Sequence, residues 1–125
     1  MPKVIYCLGN PMNAKDNLPL KIMTKLKNKL PGINFIHLDP TEAGTIEDNA
    51  IFIDTALGIK KIEITSDLNK LSLAPRNSVH DYDLPIFLGL MLKLGKIKSF
   101  TIIGVPEISN LKKAVEEVGN VIKRI

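Results

Sequence analysis

Short apolar runs rich in β-branched residues alternate along this chain with segments of helical periodicity. The run Ser99–Val105 constrains the fold most, because it is almost continuously apolar and so typical of a strand inside a parallel sheet that is covered on both faces. Runs at Val4–Leu8, Ile33–Leu38 and Ala50–Ile53 predict further strands. The order of strands and helices predicts an α/β fold, a single three-layer doubly wound domain with a mostly parallel sheet and right-handed crossovers.

Three segments between the strands carry the pattern of helices. The first is expected from about Leu18 to Leu30, with lysines opposite an apolar stripe, and the last from about Leu111 to Lys123. The second, about Leu84 to Leu94, is so rich in leucine that it is expected to be almost wholly buried. A further strand is expected at Ile59–Ile64, and the polar region Ser66–Asn77 is expected to be a mobile loop beside the site.

Length and composition describe one ordinary globular domain. The chain has 125 residues, of which 45% are hydrophobic and 24% charged, so one domain over residues 1–125 is expected to bury about two thirds of its unfolded surface. No apolar stretch approaches the roughly 18 residues of a membrane span. The start at Met1 lacks the pattern of a secretory signal, and a single cysteine, Cys7, agrees with a reducing compartment. A cytoplasmic location follows as an expectation, with Cys7 packed inside the first strand.

The positive charge of the chain does not point to nucleic acid. The formal net charge is +4, and the lysines that produce it are spread over the whole sequence. A nucleic-acid surface usually adds clustered arginines and stacking aromatic residues, whereas this chain has two Tyr, four Phe and no Trp. Most of the lysines are therefore expected on solvated helix faces and strand edges.

Several common chemistries lack their motifs in this sequence. The loop after the first strand contains one glycine, Gly9, and neither the dinucleotide fingerprint nor the phosphate-loop pattern, and an acid in the same loop would repel phosphate. The serine nucleophile elbow, the His-Glu-x-x-His zinc helix and paired cysteines are also missing. His37 is expected to be a strand residue that faces solvent or forms a hydrogen bond, rather than a metal ligand.

Two carboxylates and one imidazole remain as a possible metal-binding set. Asp16 follows the first strand, Asp54 is placed at the end of the third, and His80 precedes the second helix. If the strands are parallel neighbours, these three side chains converge on one crevice at the strand ends. Oxygen and nitrogen ligands of this kind suit nickel, zinc, cobalt or iron and leave positions open for a substrate. Each residue also has a structural alternative, as a helix cap, a strand-end acid or a loop histidine.

Taken in order, the short motifs resemble the hydrogenase maturation endopeptidases, which trim a carboxy-terminal extension from the large subunit of nickel–iron hydrogenases. The resemblance covers nearly the whole chain. It is carried by the Gly-Asn loop and its acid in Leu8–Asp16, a glycine-containing segment at Asp39–Gly44, the two residues Asp54 and His80, and the segment Ile102–Glu107.

This resemblance implies an endopeptidase whose substrate carries the metal. It implies that Asp16, Asp54 and His80 bind the nickel of a loaded large-subunit precursor, and that Asp16 and Asp39 are acids of catalytic importance. The implied partner is that precursor, with no organic cofactor, nucleic acid or membrane involved. The nickel belongs to the substrate and serves for recognition.

The sequence departs from the family pattern around the first acid. Lys15, Asn17 and Pro19 stand where the family usually has an acid and glycines. Lys15 favours an ionised Asp16 but opposes a nearby cation electrostatically. The alternative is therefore a non-catalytic, metal-dependent binding protein or chaperone of the same fold, and a further one is an unrelated α/β domain that binds a small molecule.

Overall fold

The computed structural model describes residues 3–9, 17–39, 46–68, 70, 72–73, 84–107 and 109–125. The predictions for Asp16 and His80 therefore lie outside the described residues. The elements, in chain order, are β1 (Lys3–Cys7), α1 (Leu18–Lys29), β2 (Ile33–His37), β3 (Ala50–Leu57), β4 (Glu63–Thr65), β5 (Ser72–Leu73), α2 (Leu84–Lys93), β6 (Phe100–Pro106) and α3 (Leu111–Arg124).

One sheet connects the six strands of the described residues, in the order β2-β1-β3-β6-β4, with β5 paired to β3 outside this path. The pairs β1–β2, β1–β3 and β3–β6 are parallel, whereas β4 runs antiparallel to β6 and β5 antiparallel to β3. The predicted mostly parallel, doubly wound α/β fold is confirmed. Because β2 lies on one side of β1 and β3 on the other, the topological switch point lies between β1 and β3, where such sheets bind their ligands.

Helices cover both faces of the sheet, which gives three layers, with one described helix on one face and two on the other. Alternate residues of β3 point to opposite faces: Phe52 packs with α2, while Ile53 packs with α1 and α3. The α2 face denotes the side whose core includes Tyr6, Leu8, Phe52, Leu84, Leu88 and Ile102. The α1/α3 face denotes the side whose core includes Ile5, Cys7, Ile22, Leu26, Ile53, Val115, Val118 and Ile122.

The helix boundaries agree with the sequence pattern to within about a residue. In α1, Pro19 lies in the first turn, where its missing N–H costs nothing, and Ile22 and Leu26 are buried. In α3, the Asn110 side chain accepts a hydrogen bond from the Lys113 backbone N–H at 3.1 Å and so caps the helix start. Within the described ranges, no helix is both long and apolar enough to span a membrane.

One strand prediction is wrong, and one loop prediction needs a correction. Residues Ile59–Ile64 do not form one strand, because the chain bends at the exposed Lys60 and Lys61. The strand β4 begins only at Glu63. Of the region Ser66–Asn77, expected to be a mobile loop, residues 69, 71 and 74–77 lie outside the described residues. Ser72–Leu73 form the short strand β5, which pairs with the last residues of β3.

The expected burial of the second helix is also wrong. Along α2 and just beyond it, Ile86, Leu90 and Leu94 are 55%, 44% and 57% exposed, while Leu84 and Leu88 are buried. One side of the helix packs on the sheet, and the spacing of four residues gathers the exposed side chains on the other side. A leucine-rich composition therefore did not indicate burial on all sides.

Candidate functional site

Asp54 is a buried acid inside the central strand β3. It is 1% exposed, and its Oδ1 atom accepts a hydrogen bond from the Thr55 backbone N–H at 2.8 Å. The strand alternation puts its side chain on the α2 face, and its partner on β6 is Gly104. The neighbouring strand therefore contributes no side chain beside the carboxylate, whose orientation is fixed by a backbone hydrogen bond.

The prediction that Asp54 ends its strand needs correction on one side only. The strand β3 continues to Leu57, because β6 stays paired to it through Thr55 and Ala56. On the other side β1 stops at Cys7, opposite Ile53. After a last hydrogen bond from the Leu8 N–H to the Ile53 carbonyl oxygen, 2.9 Å, the chain turns at Gly9.

Gly9 makes this turn possible. Its φ of 144° lies in a region that side chains rarely allow, so glycine is needed at the end of β1. Asp54 is thus the first residue of β3 beyond the end of β1, at the switch point of the sheet. The predicted placement of an acid at this crevice is consistent with the described strands.

His37 fixes the same loop from the side of β2. Its Nε2 atom lies 2.9 Å from the Gly9 carbonyl oxygen. Since a carbonyl oxygen only accepts hydrogen bonds, Nε2 carries the proton and donates it. The Leu38 N–H also donates to the Cys7 carbonyl oxygen at 3.0 Å. His37 is the exposed hydrogen-bonding strand residue that the sequence predicts, and it holds the carboxyl ends of β1 and β2 together.

Asp39 lies at the same edge of the sheet but in a different setting. It comes two residues after β2 and is exposed, whereas Asp54 is buried. The strand β1 lies between β2 and β3, which separates their axes by about 10 Å. The structure therefore brings both acids to the carboxyl edge without making them neighbours in the sheet.

The complete ligand set stays a prediction. Asp16 immediately precedes Asn17, whose carbonyl oxygen accepts the first hydrogen bonds of α1. His80 comes four residues before Leu84, the first residue of α2. Among the residues that the structure describes, no group of three or more His, Cys, Asp or Glu is placed to hold a metal ion. Asp54 is the member of the set whose surroundings are described.

A polar pair on the α2 face was not anticipated from the sequence. The Tyr6 hydroxyl donates to Glu47 Oε2 at 2.8 Å, and the Tyr6 ring stacks on Phe52 with centroids 5.5 Å apart. Burial, aided by the hydrogen bond and charge of Glu47, raises the pKa of Tyr6 to about 12. The tyrosine therefore stays protonated at neutral pH. No local pattern links residues this far apart in the chain.

Cys7 supplies no nucleophile to this site. It is fully buried on the α1/α3 face, as the sequence predicts, and burial raises the pKa of its thiol to about 12. Nucleophilic attack needs the thiolate, which is scarce at neutral pH when the pKa is this high. Sulfur chemistry at the end of β1 is therefore disfavoured.

Comparison with known proteins gives fold matches of low sequence identity. Neither the models of protein families nor the curated proteins match the sequence. The hydrogenase maturating endopeptidase HybD from E. coli matches with a TM-score of 0.63 at 17% identity, over 99% of this chain and 93% of that one. An uncharacterized protein from Wolinella succinogenes matches with a TM-score of 0.62 at 15% identity, over 99% and 96%.

A third structure extends the comparison. The NiFe hydrogenase maturation protease HycI from Thermococcus kodakarensis matches with a TM-score of 0.56 at 19% identity, over 96% of this chain and 89% of that one. The resemblance drawn from the sequence motifs is thus confirmed at the level of the fold. This chain shares its α/β fold with two proteins named as hydrogenase maturation proteases.

Proposed function

We propose that this protein is a cytoplasmic endopeptidase that removes the carboxy-terminal extension of a nickel-loaded hydrogenase large-subunit precursor. The observation that carries the proposal is the position of Asp54, a buried and oriented carboxylate at the β1/β3 switch point. It occurs in a fold shared with two proteins named as hydrogenase maturation proteases.

In this proposal the precursor's nickel is recognised by Asp54 together with Asp16 and His80. Carboxylate oxygen and imidazole nitrogen are suitable ligands for nickel, and three protein ligands leave coordination positions for the precursor. The Thr55 N–H holds one oxygen of Asp54, and such a hydrogen bond orients a ligand before the metal arrives. The short distance in sequence from His80 to α2 supports its approach from the α2 face, where Asp54 points.

Cleavage in this scheme depends mainly on positioning. A precursor anchored through its metal would present the scissile peptide to the carboxyl edge of the sheet, which makes the reaction effectively intramolecular. Asp39 is exposed at that edge and Asp16 lies in the adjoining segment of sequence, so these acids are the proposed catalytic groups. The substrate's metal would also polarise a carbonyl or a water molecule.

The test is a processing assay with each proposed ligand altered. Asp16→Asn, Asp54→Asn and His80→Ala are incubated with nickel-loaded precursor, and the precursor mass is followed over time. Loss of a ligand is expected to reduce trimming by at least about 100-fold. Glu63→Gln serves as the matched control, because Glu63 is an exposed acid on β4.

The outcomes separate the proposed peptidase from its alternative. Trimming at the normal rate by the Asp54 or His80 variant would remove the metal-recognition argument. Tight binding of the precursor by the unaltered protein, with no loss of mass, would instead favour the non-catalytic binding protein or chaperone. Circular dichroism of each variant shows whether a loss of activity reflects unfolding.

A further inference from the structure

The outer surface of the α1/α3 face carries an unusual charge distribution. Helix α1 contains four lysines and no acidic residue. Helix α3 adds a pair of lysines in its first turn. Like charges on adjacent helices repel each other, so such a surface gains most from a partner of opposite charge.

A groove between α1 and α3 collects part of this charge over an apolar floor. It has a volume of about 590 Å³, and its basic side chains are Lys25, Lys29 and Lys112. Leu111 and the buried Val115 form the apolar part of its lining. None of the described residues that line it is acidic. The groove therefore combines three ammonium groups with apolar surface.

A second basic cavity continues this groove towards the carboxyl edge of the sheet. It has a volume of about 300 Å³ and is lined by three lysines, Lys60, Lys61 and Lys113, and by one acid, Glu117, with Pro106 at the end of β6. Asn110 lines both cavities, so they adjoin across the first turn of α3. Lys113 has a weak and exposed ion pair with Glu117, 4.0 Å, so the lysines of this lining outnumber its one acid.

The chemistry of the lining selects the class of ligand. The Asn110 side chain already caps α3, so the attraction comes from the lysine ammonium groups and not from the helix end. Single-stranded nucleic acid usually needs aromatic side chains for base stacking, and none lines either cavity. An acidic polypeptide offers both carboxylates, which attract the lysines, and apolar side chains, which can pack on the floor of the groove.

We infer that this lysine groove, formed by Lys25, Lys29 and Lys112 and continued by Lys60, Lys61 and Lys113, docks an acidic segment of another protein. In that segment carboxylates alternate with apolar side chains that contact Leu111 and Val115. The inference goes beyond the proposed function and does not depend on it, since the groove lies on the opposite face of the sheet from the Asp54 side chain.

The experiment measures binding of a defined probe to the purified full chain. A short fluorescein-labelled peptide with alternating Glu and Leu is titrated by fluorescence anisotropy, beside the same peptide with Gln in place of Glu. The triple variant Lys25→Glu, Lys29→Glu, Lys112→Glu is expected to bind the Glu peptide with an affinity at least about tenfold lower. Added salt is expected to weaken binding to the unaltered protein as well.

A matched control isolates the groove from net charge. The triple variant Lys70→Glu, Lys93→Glu, Lys96→Glu changes the net charge by the same amount at exposed lysines outside the groove, and it is expected to bind the Glu peptide as the unaltered protein does. Equal losses in both variants, equal binding of the Gln peptide, or no binding at all would overturn the inference. So would a single-stranded oligonucleotide that binds more tightly than the Glu peptide through the groove lysines. Thermal unfolding verifies that both variants are folded.

Discussion

The two faces of the sheet differ in the number of helices that cover them and in the polarity of the residues that they bury. The α1/α3 face is covered by two helices, with a mainly apolar interior and lysines outside. The α2 face has a single described helix, apolar residues exposed on its outer side, and the polar groups of Asp54, Tyr6 and Glu47 near its core. Buried polar groups cost stability unless they are paired. In the proposed function the α1/α3 face mainly stabilises the fold, while the α2 face also carries the chemistry.

The largest effect on the free energy of unfolding is expected from a substitution in the core of the α2 face. Phe52 is fully buried on the α2 face and stacks on Tyr6. Phe52→Ala should lower the free energy of unfolding by about 4 kcal/mol, because it removes a large buried ring and leaves a cavity. Urea denaturation measures the change. A loss below about 2 kcal/mol would mean that the α2 face collapses around the cavity and is less rigid than its burial indicates.

A slightly smaller loss of stability is expected from a core substitution on the α1/α3 face. Leu26 is 1% exposed on α1, and its Cδ2 atom lies close to Gly119 of α3. Leu26→Ala should cost about 3 kcal/mol, measured by the same denaturation experiment. At a temperature where both variants are folded, precursor trimming should be impaired by Phe52→Ala and unaffected by Leu26→Ala. Equal impairment would show that the two faces do not divide stability from function.

The parts of the fold that the sequence predicts are those set by local pattern. Helices α1 and α3 and the strand β6 were placed to within about a residue, because apolar periodicity and the Pro-Gly pair after α1 act over a few residues. The errors concern pairing between distant segments. The strand β3 extends past Asp54 because β6 continues beside it, and β5 forms because β3 offers it an edge.

The site shows the same division between local and distant information. Asp54 and Asp39 could be placed at the carboxyl edge from the order of strands, and His37 from its place in β2. The position of Asp54 just beyond the end of β1 depends on the pairing of distant strands, and the Tyr6–Glu47 pair also joins distant parts of the chain. Side-chain packing also left three apolar residues of the α2 region exposed, which composition alone did not reveal.

A gain in stability is expected at Thr55, a polar residue on the apolar α1/α3 side. Thr55 is fully buried beside Val105, and its Oγ1 atom has no hydrogen-bond partner among the described residues. Thr55→Val keeps the shape and the backbone N–H that Asp54 uses, and removes the cost of a buried hydroxyl. The free energy of unfolding should rise by about 1 kcal/mol, seen as a higher thermal midpoint. A decrease would mean that the hydroxyl has a partner after all.

The smallest effect is expected on the outer side of α2, where two successive residues make a matched pair. Leu90 is 44% exposed and Met91 is 8% exposed. Because leucine and glutamine have similar helix propensities, Leu90→Gln should change the free energy of unfolding by less than about 0.5 kcal/mol. Met91→Gln, the control, should cost about 3 kcal/mol, since it places an amide against the α2-face core. Urea denaturation of the two variants compares them directly. A cost for Leu90→Gln close to that of its neighbour would show that the outer side of α2 is covered in solution, and the contrast between an open α2 face and a closed α1/α3 face would fail.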